Sequence, residues 1–250
     1  MSPPPLAVRE QFRAQRFNKV WTQQLNDVFA DVAPYYDRAN LFASFGQWNR
    51  LLDAFMATIE LNPGERALDV CAGTNAVGIA LLRKEPELEV HAIDRSAAMQ
   101  EVGQQRAQAL GLSIASHIGD VHRLPFADAH FDLVTLQWAT RHLRVNEVFA
   151  EVHRVLKPGG RFFHCDMLRP ANPVVEKLYH GYLHASLSLT GLLFGSGAAA
   201  QQCKRYFIDA LEMFYSAEEL TQLLRQTGFR SVTARSLLLG TMGFHRAVKP

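Results

Sequence analysis

Residues 67–78 read ALDVCAGTNAVG, and this stretch decides how the rest of the chain is organised. Apolar and small residues run into a short turn and continue at helical spacing, which predicts a strand, a tight turn and a helix. Such a turn holds a small-molecule cofactor, because the backbone can approach a ligand closely there. Of the three glycines in a dinucleotide fingerprint, Gly73 and Gly78 remain, and Asp69 lies inside the strand. The stretch therefore indicates a nucleoside cofactor with a positively charged amino-acid arm and no pyrophosphate.

Composition limits the class of protein. The chain has 250 residues, 48% of them hydrophobic, which is enough for one large domain with an appended cap. A formal net charge of +2 with mixed signs argues against a nucleic-acid partner. The three cysteines lack the spacing of a disulfide framework or a zinc site, so no metal is expected. Since no apolar run approaches the roughly 18 residues of a membrane span, we expect a cytoplasmic protein.

Strands and helices alternate from about residue 51 onwards. Helices are predicted at Leu51–Leu61, after the capping residue Ser96, at Val145–Leu156 and after the capping box that begins at Ser216. The alternation predicts an α/β fold with a doubly wound, mostly parallel seven-stranded sheet and a C-terminal antiparallel hairpin. The expected strands are Arg66–Cys71, Glu89–Ile93, Ser113–His117, Phe131–Leu136, Arg161–Cys165, Ser231–Leu238 and Thr241–Val248.

The predicted organisation has four parts. They are an N-terminal helical lid (1–50), a cofactor-binding α/β core (51–170), an inserted helical substrate cap (171–215) interrupted at Gly195–Gly197, and a C-terminal helix and β-hairpin (216–250) that complete the core. In the lid, apolar residues at helical spacing lie opposite Arg9, Arg13 and Arg16. That basic face is either solvated, with the helix packed on the main domain, or it meets a membrane surface or an acidic partner.

Acidic residues follow several of the predicted strands. Asp69 precedes the turn, Asp94 follows the second strand, Asp120 the third and Asp166 the fifth. Ligands on doubly wound sheets bind beyond the carboxyl ends of the strands. Asp94 lies 25 residues after Asp69 (94 − 69), where a carboxylate accepts both hydroxyls of a ribose.

Six stretches extend this pattern: VFADVAPYYDRANLFASFG, LDVCAGTNAVG, AIDRSAAM, GDVHRLPFADAHFDLVTLQWATRHL, EVHRVLKPGGRF and GFRSVTARSLLLGTMGFHRAVK. They resemble class I S-adenosylmethionine-dependent methyltransferases with a Rossmann-like fold, and in particular the ubiquinone/menaquinone biosynthesis C-methyltransferase family. The resemblance implies S-adenosylmethionine as cofactor. It assigns the methionine end of that cofactor to Asp69, Gly73 and Thr74, the ribose to Asp94, the adenine edge to Asp120 and Val121, and a further cofactor contact to Gln137.

The reaction implied is transfer of a methyl group to a ring carbon of a quinol-like or phenolic acceptor. A phenolate is the better carbon nucleophile, so a base and a cation near the hydroxyl would promote the reaction. His142 beside Arg141 is the predicted pair. Tyr36 and Asp166 are further catalytic candidates. The predicted acceptor-binding residues are Tyr36, Asn40, His164, His180 and His184.

Two other functions stay open at this point. Gln137 and His142 replace the serine and asparagine usual in the family, which allows an O- or N-methyltransferase of a specialised small molecule. From another class, the chain could be a non-catalytic cofactor-binding scaffold in a biosynthetic complex. Peripheral contact with a membrane and assembly as a homodimer are also left open.

Overall fold

The fold is built on one seven-stranded sheet, seen in a computed structural model that describes residues 6–194 and 204–250. The strand order is β3-β2-β1-β4-β5-β7-β6, with β1 to β5 parallel and β7 antiparallel to both of its neighbours. This arrangement confirms the predicted fold class. The strands are β1 (Arg66–Val70), β2 (Glu89–Asp94), β3 (Ala115–Ile118), β4 (Phe131–Gln137), β5 (Leu156–Met167), β6 (Arg230–Leu237) and β7 (Met242–Val248).

Helices precede the sheet, cover both of its faces and continue beyond β5. The α-helices are α1 (Leu6–Lys19), α2 (Leu25–Val32), α3 (Tyr36–Ala43), α4 (Trp48–Met56), α5 (Ala76–Lys84), α6 (Ala97–Ala109), α7 (Val145–Val155), α8 (Pro173–Phe194), α9 (Lys204–Glu212) and α10 (Ala217–Gln226). A π-helical turn at Val20–Gln24 joins α1 to α2, and short 3-10 turns lie at Ala33–Tyr35, Thr140–His142 and Leu238–Gly240. None of the helices in the described ranges is long and apolar enough to cross a membrane.

The central strands β1 and β4 are largely buried on both faces, as their mostly apolar sequences predict. Leu68 pairs with Val134 and Asp69 with Thr135 in the parallel register. Because side chains alternate across a strand, Leu68 and Val134 join the core on one face of the sheet while Asp69 and Thr135 meet on the other. The register therefore places a polar pair inside an otherwise apolar layer.

Two predicted helix starts are confirmed by their caps. The Ser96 hydroxyl accepts the N–H of Met99 at 3.4 Å at the start of α6. Ser216 and Glu219 form the complete capping box of α10. A capping box satisfies two helix N–H groups that would otherwise lack partners, so the sequence signal and the structure agree.

Strand β5 begins earlier than predicted. Residues Lys157 to Gly160 form an irregular first part of this strand. The N–H of Gly159 bonds the carbonyl of Lys249, and the N–H of Lys249 bonds that of Gly160, so the C-terminus pairs with this segment. Gly160 is required there, because a Cβ would lie 2.7 Å from the Lys157 carbonyl oxygen.

The arginine face of α1 also differs from the prediction. Arg9 and Arg13 are 5% and 0% exposed, whereas Phe12 on the predicted apolar side is 54% exposed. The prediction that the basic face is solvated is therefore wrong for these two arginines. They turn inward because each has an acidic partner there: Arg9 pairs with the partly exposed Glu219, and Arg13 pairs with Glu10 in the same helix.

The lid and cap helices lie over the carboxyl ends of the parallel strands. Helix α8 contacts α3 and α9, and the short turn that contains His142 contacts α9. The interruption predicted at Gly195–Gly197 lies outside the described residues. Together these helices enclose a space above the edge of the sheet at which the predicted cofactor-binding residues lie.

Candidate active site

The turn between β1 and α5 has an unusual backbone. Cys71, Gly73 and Asn75 all adopt left-handed conformations, with φ values of 57°, 52° and 57°. Asparagine tolerates this region better than most residues, which explains how Asn75 replaces a glycine at the start of α5. The Gln100 amide fixes the turn by donating to the Gly73 carbonyl and to the Asn75 side chain, both at 2.9 Å.

Asp69 is buried beneath this turn. One of its oxygens accepts the Thr135 hydroxyl at 2.7 Å, and its Oδ2 has no hydrogen-bond partner among the residues that the structure describes. Burial raises the pKa of Asp69 to about 7. A buried carboxylate oxygen without a partner is costly, so a ligand that supplies a donor or a positive charge would be favoured there.

Asp94 holds the opposite side of the turn. Its Oδ2 accepts the N–H of Gly73 and its Oδ1 accepts the N–H of Ser96, each at 2.8 Å. Burial raises the pKa of Asp94, although these backbone hydrogen bonds oppose the shift. Each oxygen still has a free lone pair, because a carboxylate offers about four acceptor sites. The carboxylate is therefore oriented and able to accept further hydroxyl donors.

Three more predicted cofactor residues lie at strand ends: Asp120 and Val121 after β3, and Gln137 as the last residue of β4. Asp120 accepts the N–H and the ring Nδ1 of His122 at 3.0 and 2.6 Å. Val121 is 4% exposed and packs in the core, so its backbone is what remains for a ligand. Gln137 is 9% exposed, and within the described parts of the chain its Nε2 has no partner. A second buried polar atom thus lies at the end of the strand next to β1.

These residues suit S-adenosylmethionine. The sulfonium and ammonium groups of this cofactor are cations. Asp69, Asp94 and Asp120 place three acidic side chains at the strand ends, near a turn made of small residues. The unpartnered atoms of Asp69 and Gln137 lie on adjacent strands. Buried polar atoms in native proteins are normally satisfied, and here Asp69 Oδ2 requires a donor whereas Gln137 Nε2 requires an acceptor, so the pair fits a ligand that carries both a cationic group and an acceptor.

The N-terminal segment closes over this turn. The Thr74 hydroxyl donates a hydrogen bond to the Asp37 carboxylate at 3.1 Å. Arg106 donates to Asp37 at 2.5 Å and to the Thr74 carbonyl at 3.0 Å. On the other side, Arg95 donates to the carbonyls of Trp21 and Thr22 at 2.8 and 3.0 Å. The cofactor turn is therefore tied to α3 and to the π-helical turn.

A large apolar cavity of about 1030 Å³ lies beside the turn. Helices α2, α3, α8 and α9 supply most of its wall, and Trp138 and Arg141 enter it from the loop after β4. Of the described residues that line it, Arg141 alone carries a formal charge. Its side chain is 12% exposed, so the cation faces a space with little water to screen it.

Asp166 anchors Arg141. The guanidinium Nη1 donates to Oδ1 of the fully buried carboxylate at 2.5 Å and to the Trp138 carbonyl at 2.8 Å. Burial disfavours the charged guanidinium, but the Asp166 carboxylate outweighs it and raises the pKa of Arg141. Asp166 is also occupied by the N–H of Met167 at 2.7 Å. This placement differs from its predicted acid/base role, since its contacts serve to hold Arg141.

Tyr36 and Asn40 both line the cavity, as predicted for acceptor-binding residues. Burial raises the pKa of Tyr36 to about 12, with Arg141 opposing and Asp37 and Asp94 adding to the shift. Those electrostatic neighbours place Tyr36 between the cofactor turn and the cavity. The phenol stays protonated at neutral pH and is able to donate a hydrogen bond, whereas the Asn40 amide donates to the Tyr36 carbonyl at 3.0 Å.

His142 lies beside the cavity but is not part of its lining. It is 4% exposed, and its Nδ1 lies 2.7 Å from the Tyr206 hydroxyl, which accepts the Trp21 indole N–H at 2.7 Å. The tautomer depends on which of these two groups donates, and Nε2 is buried with no hydrogen-bond partner among the residues that the structure describes. Burial lowers the pKa of His142 well below its usual value. His142 is therefore neutral and its Nδ1 is engaged by Tyr206, and its role as the base stays a prediction.

His164 is part of a buried chain of hydrogen bonds. Thr140 Oγ1 lies 2.7 Å from its Nε2, its Nδ1 lies 3.2 Å from Nδ1 of His245, and His245 Nε2 lies 3.0 Å from the Ala217 carbonyl. Burial lowers the pKa of both histidines, so both are neutral. His164 does not line the cavity, and its predicted contact with the acceptor is not seen.

His180 and His184 also lie outside the cavity lining. His180 faces Glu212 at 3.6 Å, and His184 is exposed. Helix α8 turns a different face to the cavity, with Tyr179, Tyr182 and Leu183. In the sequence, Tyr179 and Tyr182 at a spacing of three residues indicate this face. The prediction instead followed His180 and His184, which are four residues apart. Trp48 and Trp138, stacked with ring centroids 5.1 Å apart, were missed as wall residues too.

Comparison with known proteins agrees with this geometry. The family model described as the ubiE/COQ5 methyltransferase family matches residues 17–249. The chain belongs to the ubiE/COQ5 methyltransferase family. It is an S-adenosylmethionine-dependent methyltransferase, as predicted.

Two relatives cover nearly all of this methyltransferase. A demethylmenaquinone methyltransferase of Lactobacillus johnsonii is 32% identical, over 93% of this chain and 95% of its own. A ubiquinone/menaquinone biosynthesis C-methyltransferase of Dinoroseobacter shibae is 31% identical, over 89% of each chain. Among solved structures, a methyltransferase from Aquifex aeolicus shares the fold with a TM-score of 0.55 and 19% identity, covering 81% of this chain and 89% of that one.

Proposed function

We propose that this methyltransferase methylates a ring carbon of a quinol that carries an apolar substituent. The observation that supports this most is Arg141, a cation anchored by Asp166 in the wall of a cavity whose other described lining residues carry no formal charge. The names of the relatives point in the same direction: one is a demethylmenaquinone methyltransferase and the other is a ubiquinone/menaquinone biosynthesis C-methyltransferase.

The bound cofactor supplies an electrophilic methyl group on a sulfonium. Arg141 stabilises the anion of the acceptor, because a phenolate oxygen gains more from a desolvated guanidinium than a neutral hydroxyl does. With the cofactor bound, the phenol proton would pass to solvent, the ring carbon would take the methyl group as S-adenosylhomocysteine leaves, and the ring proton would then pass to solvent to restore aromaticity. Tyr36, protonated at neutral pH, donates a hydrogen bond that orients the ring.

The rest of the cavity fits an apolar substituent. A volume of about 1030 Å³ lined by aliphatic and aromatic side chains exceeds what one or two aromatic rings occupy. The wall of α8 and α9 provides Leu183, Leu187 and Leu211 along one side. Burial of each further CH₂ contributes about 0.8 kcal/mol, so a chain of several carbons would add substantially to acceptor binding.

We propose further that the cavity mouth rests on a membrane surface. Phe45, Leu192 and Leu239 are 81%, 80% and 81% exposed, next to lining residues of the cavity. Phe45 and Leu239 adopt left-handed φ values of 50° and 59°, which are unfavourable for bulky residues. Apolar side chains held outward around an apolar cavity suit transfer of an acceptor from lipid. Cosedimentation with vesicles should fall for Leu239→Ser and Phe45→Ser, and stay unchanged for the remote Phe12→Ser.

The reaction itself is tested by product analysis. The purified chain is incubated with methyl-labelled S-adenosylmethionine and a panel of quinols and phenols with and without alkyl substituents. We expect label in a product that survives O- and N-dealkylation, and faster transfer to alkylated quinols. Label lost on dealkylation would show O- or N-methylation instead, and absence of transfer to every member of the panel would overturn the proposal.

A further inference from the structure

Helix α1 contains a buried charged pair that no part of the methylation scheme uses. Glu10 and Arg13 are one turn apart, 9% and 0% exposed, and joined at 2.8 Å. The Arg13 guanidinium lies 5.1 Å from the ring centroid of Phe214 and 5.2 Å from that of Tyr215, which also donates its hydroxyl proton to Glu10. Fully burying an arginine costs several kcal/mol unless its partners compensate, so its contacts matter.

Those contacts go to the loop that carries Arg141. Arg13 Nη2 donates to the carbonyl of Arg141 at 3.0 Å and reaches that of Leu143 at 3.4 Å. Glu10 Oε1 accepts the N–H of Val145, the first residue of α7, at 2.5 Å. A carboxylate at a helix N-terminus is favoured by the free N–H groups and by the helix dipole. The pair therefore holds both ends of the segment from Arg141 to Val145.

Both residues precede the region matched by the family model, which begins at residue 17. We propose that Glu10 and Arg13 are positioning residues: α1 fixes the backbone of Arg141 while Asp166 fixes its side chain. Here α1 is part of the active-site scaffold and not only a cover. The role in turnover rests on the proposed function of Arg141, whereas the effect on the loop does not.

The test uses a double variant, Arg13→Met with Glu10→Gln, which removes the pair without leaving a lone buried charge. Replacing a buried ion pair with residues of similar volume is often neutral for stability, so the protein is expected to fold. We expect kcat to fall between about 10- and 100-fold, because small displacements of a reacting-site group have effects of that size. The dissociation constant of S-adenosylhomocysteine should stay within about twofold, because Asp94 and the turn are untouched. Arg16→Met, on the same helix with its ion pair to Asp209 near the surface, is the matched control and should behave as wild type.

Hydrogen exchange separates this proposal from the proposed function. In the double variant, amides of residues 140–146 should exchange faster than in wild type, while those of β1 should not. Arg13→Lys keeps a positive charge beside Glu10, but a lysine side chain cannot bond two carbonyls with a fixed planar fork. The stability of this variant should therefore be closer to that of wild type than its kcat is. Unchanged exchange in that segment, or unchanged kcat in a folded double variant, would overturn the positioning role. Faster exchange in the double variant, together with a wild type that methylates no quinol, would instead leave the loop effect standing and reject the proposed reaction.

Discussion

Arg141 and Asp166 form a buried ion pair across the loop after β4 and the end of β5, with 2.5 Å between Nη1 and Oδ1. The carboxylate also accepts the backbone N–H of Arg141 at 3.3 Å, so one acid restrains both parts of the residue. Such a double contact restricts the guanidinium to one direction. That direction is toward the cavity, where Tyr36 and Tyr179 lie in the same wall.

This pair predicts different effects for its two members. Arg141→Lys keeps the charge but loses the planar fork, and we expect kcat to fall by about 10- to 100-fold with little change in cofactor affinity. Asp166→Asn leaves a buried guanidinium without its counter-charge, so the free energy of unfolding should fall by about 3 to 5 kcal/mol as well. Steady-state kinetics together with urea denaturation measures both. Equal loss of stability in the two variants would contradict the assignment of Arg141 to the acceptor.

Asp94 is predicted to determine cofactor affinity. Asp94→Ala removes the carboxylate that would accept ribose hydroxyls and also frees the N–H of Gly73. We expect binding of S-adenosylhomocysteine to weaken by about 2 to 3 kcal/mol, which is roughly 30- to 150-fold. Isothermal titration calorimetry gives the dissociation constant directly. Asp120→Ala serves as a comparison, since that side chain is half exposed and its loss should weaken binding less.

The parts of this site that the sequence predicted are those set by local geometry. The turn after β1 and the acid at the end of β2 depend on neighbours a few residues away, and the structure has them where expected. The contacts of Arg13 and His142 could not be predicted because their partners are remote: Arg13 bonds a carbonyl 128 residues away, and His142 bonds a hydroxyl 64 residues away. An arginine or histidine in a sequence does not show whether such a partner exists, and burial decides its role.

Cavity width is predicted to set the preference for acceptor length. Leu187 lines the cavity, so Leu187→Trp should obstruct a long apolar substituent and raise its KM by roughly tenfold, with less effect on an acceptor that lacks one. Leu187→Ala should have the opposite selectivity. Leu189→Trp is the control, because Leu189 is 47% exposed and does not line the cavity. The measurement is KM for a series of alkylated quinols, and an equal shift for all lengths would show that the substituent lies elsewhere.

The last prediction concerns pH and Asp69, whose pKa burial raises to about 7. Below about pH 4 this carboxyl is protonated in both the folded and the unfolded chain. As the pH rises toward 7 the unfolded chain loses the proton while the folded chain keeps it, so the free energy of unfolding falls, by up to about 4 kcal/mol above the folded pKa. Asp69→Asn should remove this dependence and be more stable than wild type at pH 8.

Cofactor binding should show the opposite trend at the same residue. A cationic ligand favours the ionised carboxylate, so the affinity of wild type for S-adenosylmethionine should rise between pH 6 and 8 relative to that of Asp69→Asn, by roughly tenfold. Comparing the two proteins cancels titration of the ligand itself. Urea denaturation and calorimetry at each pH measure the two effects separately. Parallel pH profiles for wild type and variant would mean that Asp69 does not titrate in this range and that its Oδ2 meets a partner other than the cationic arm.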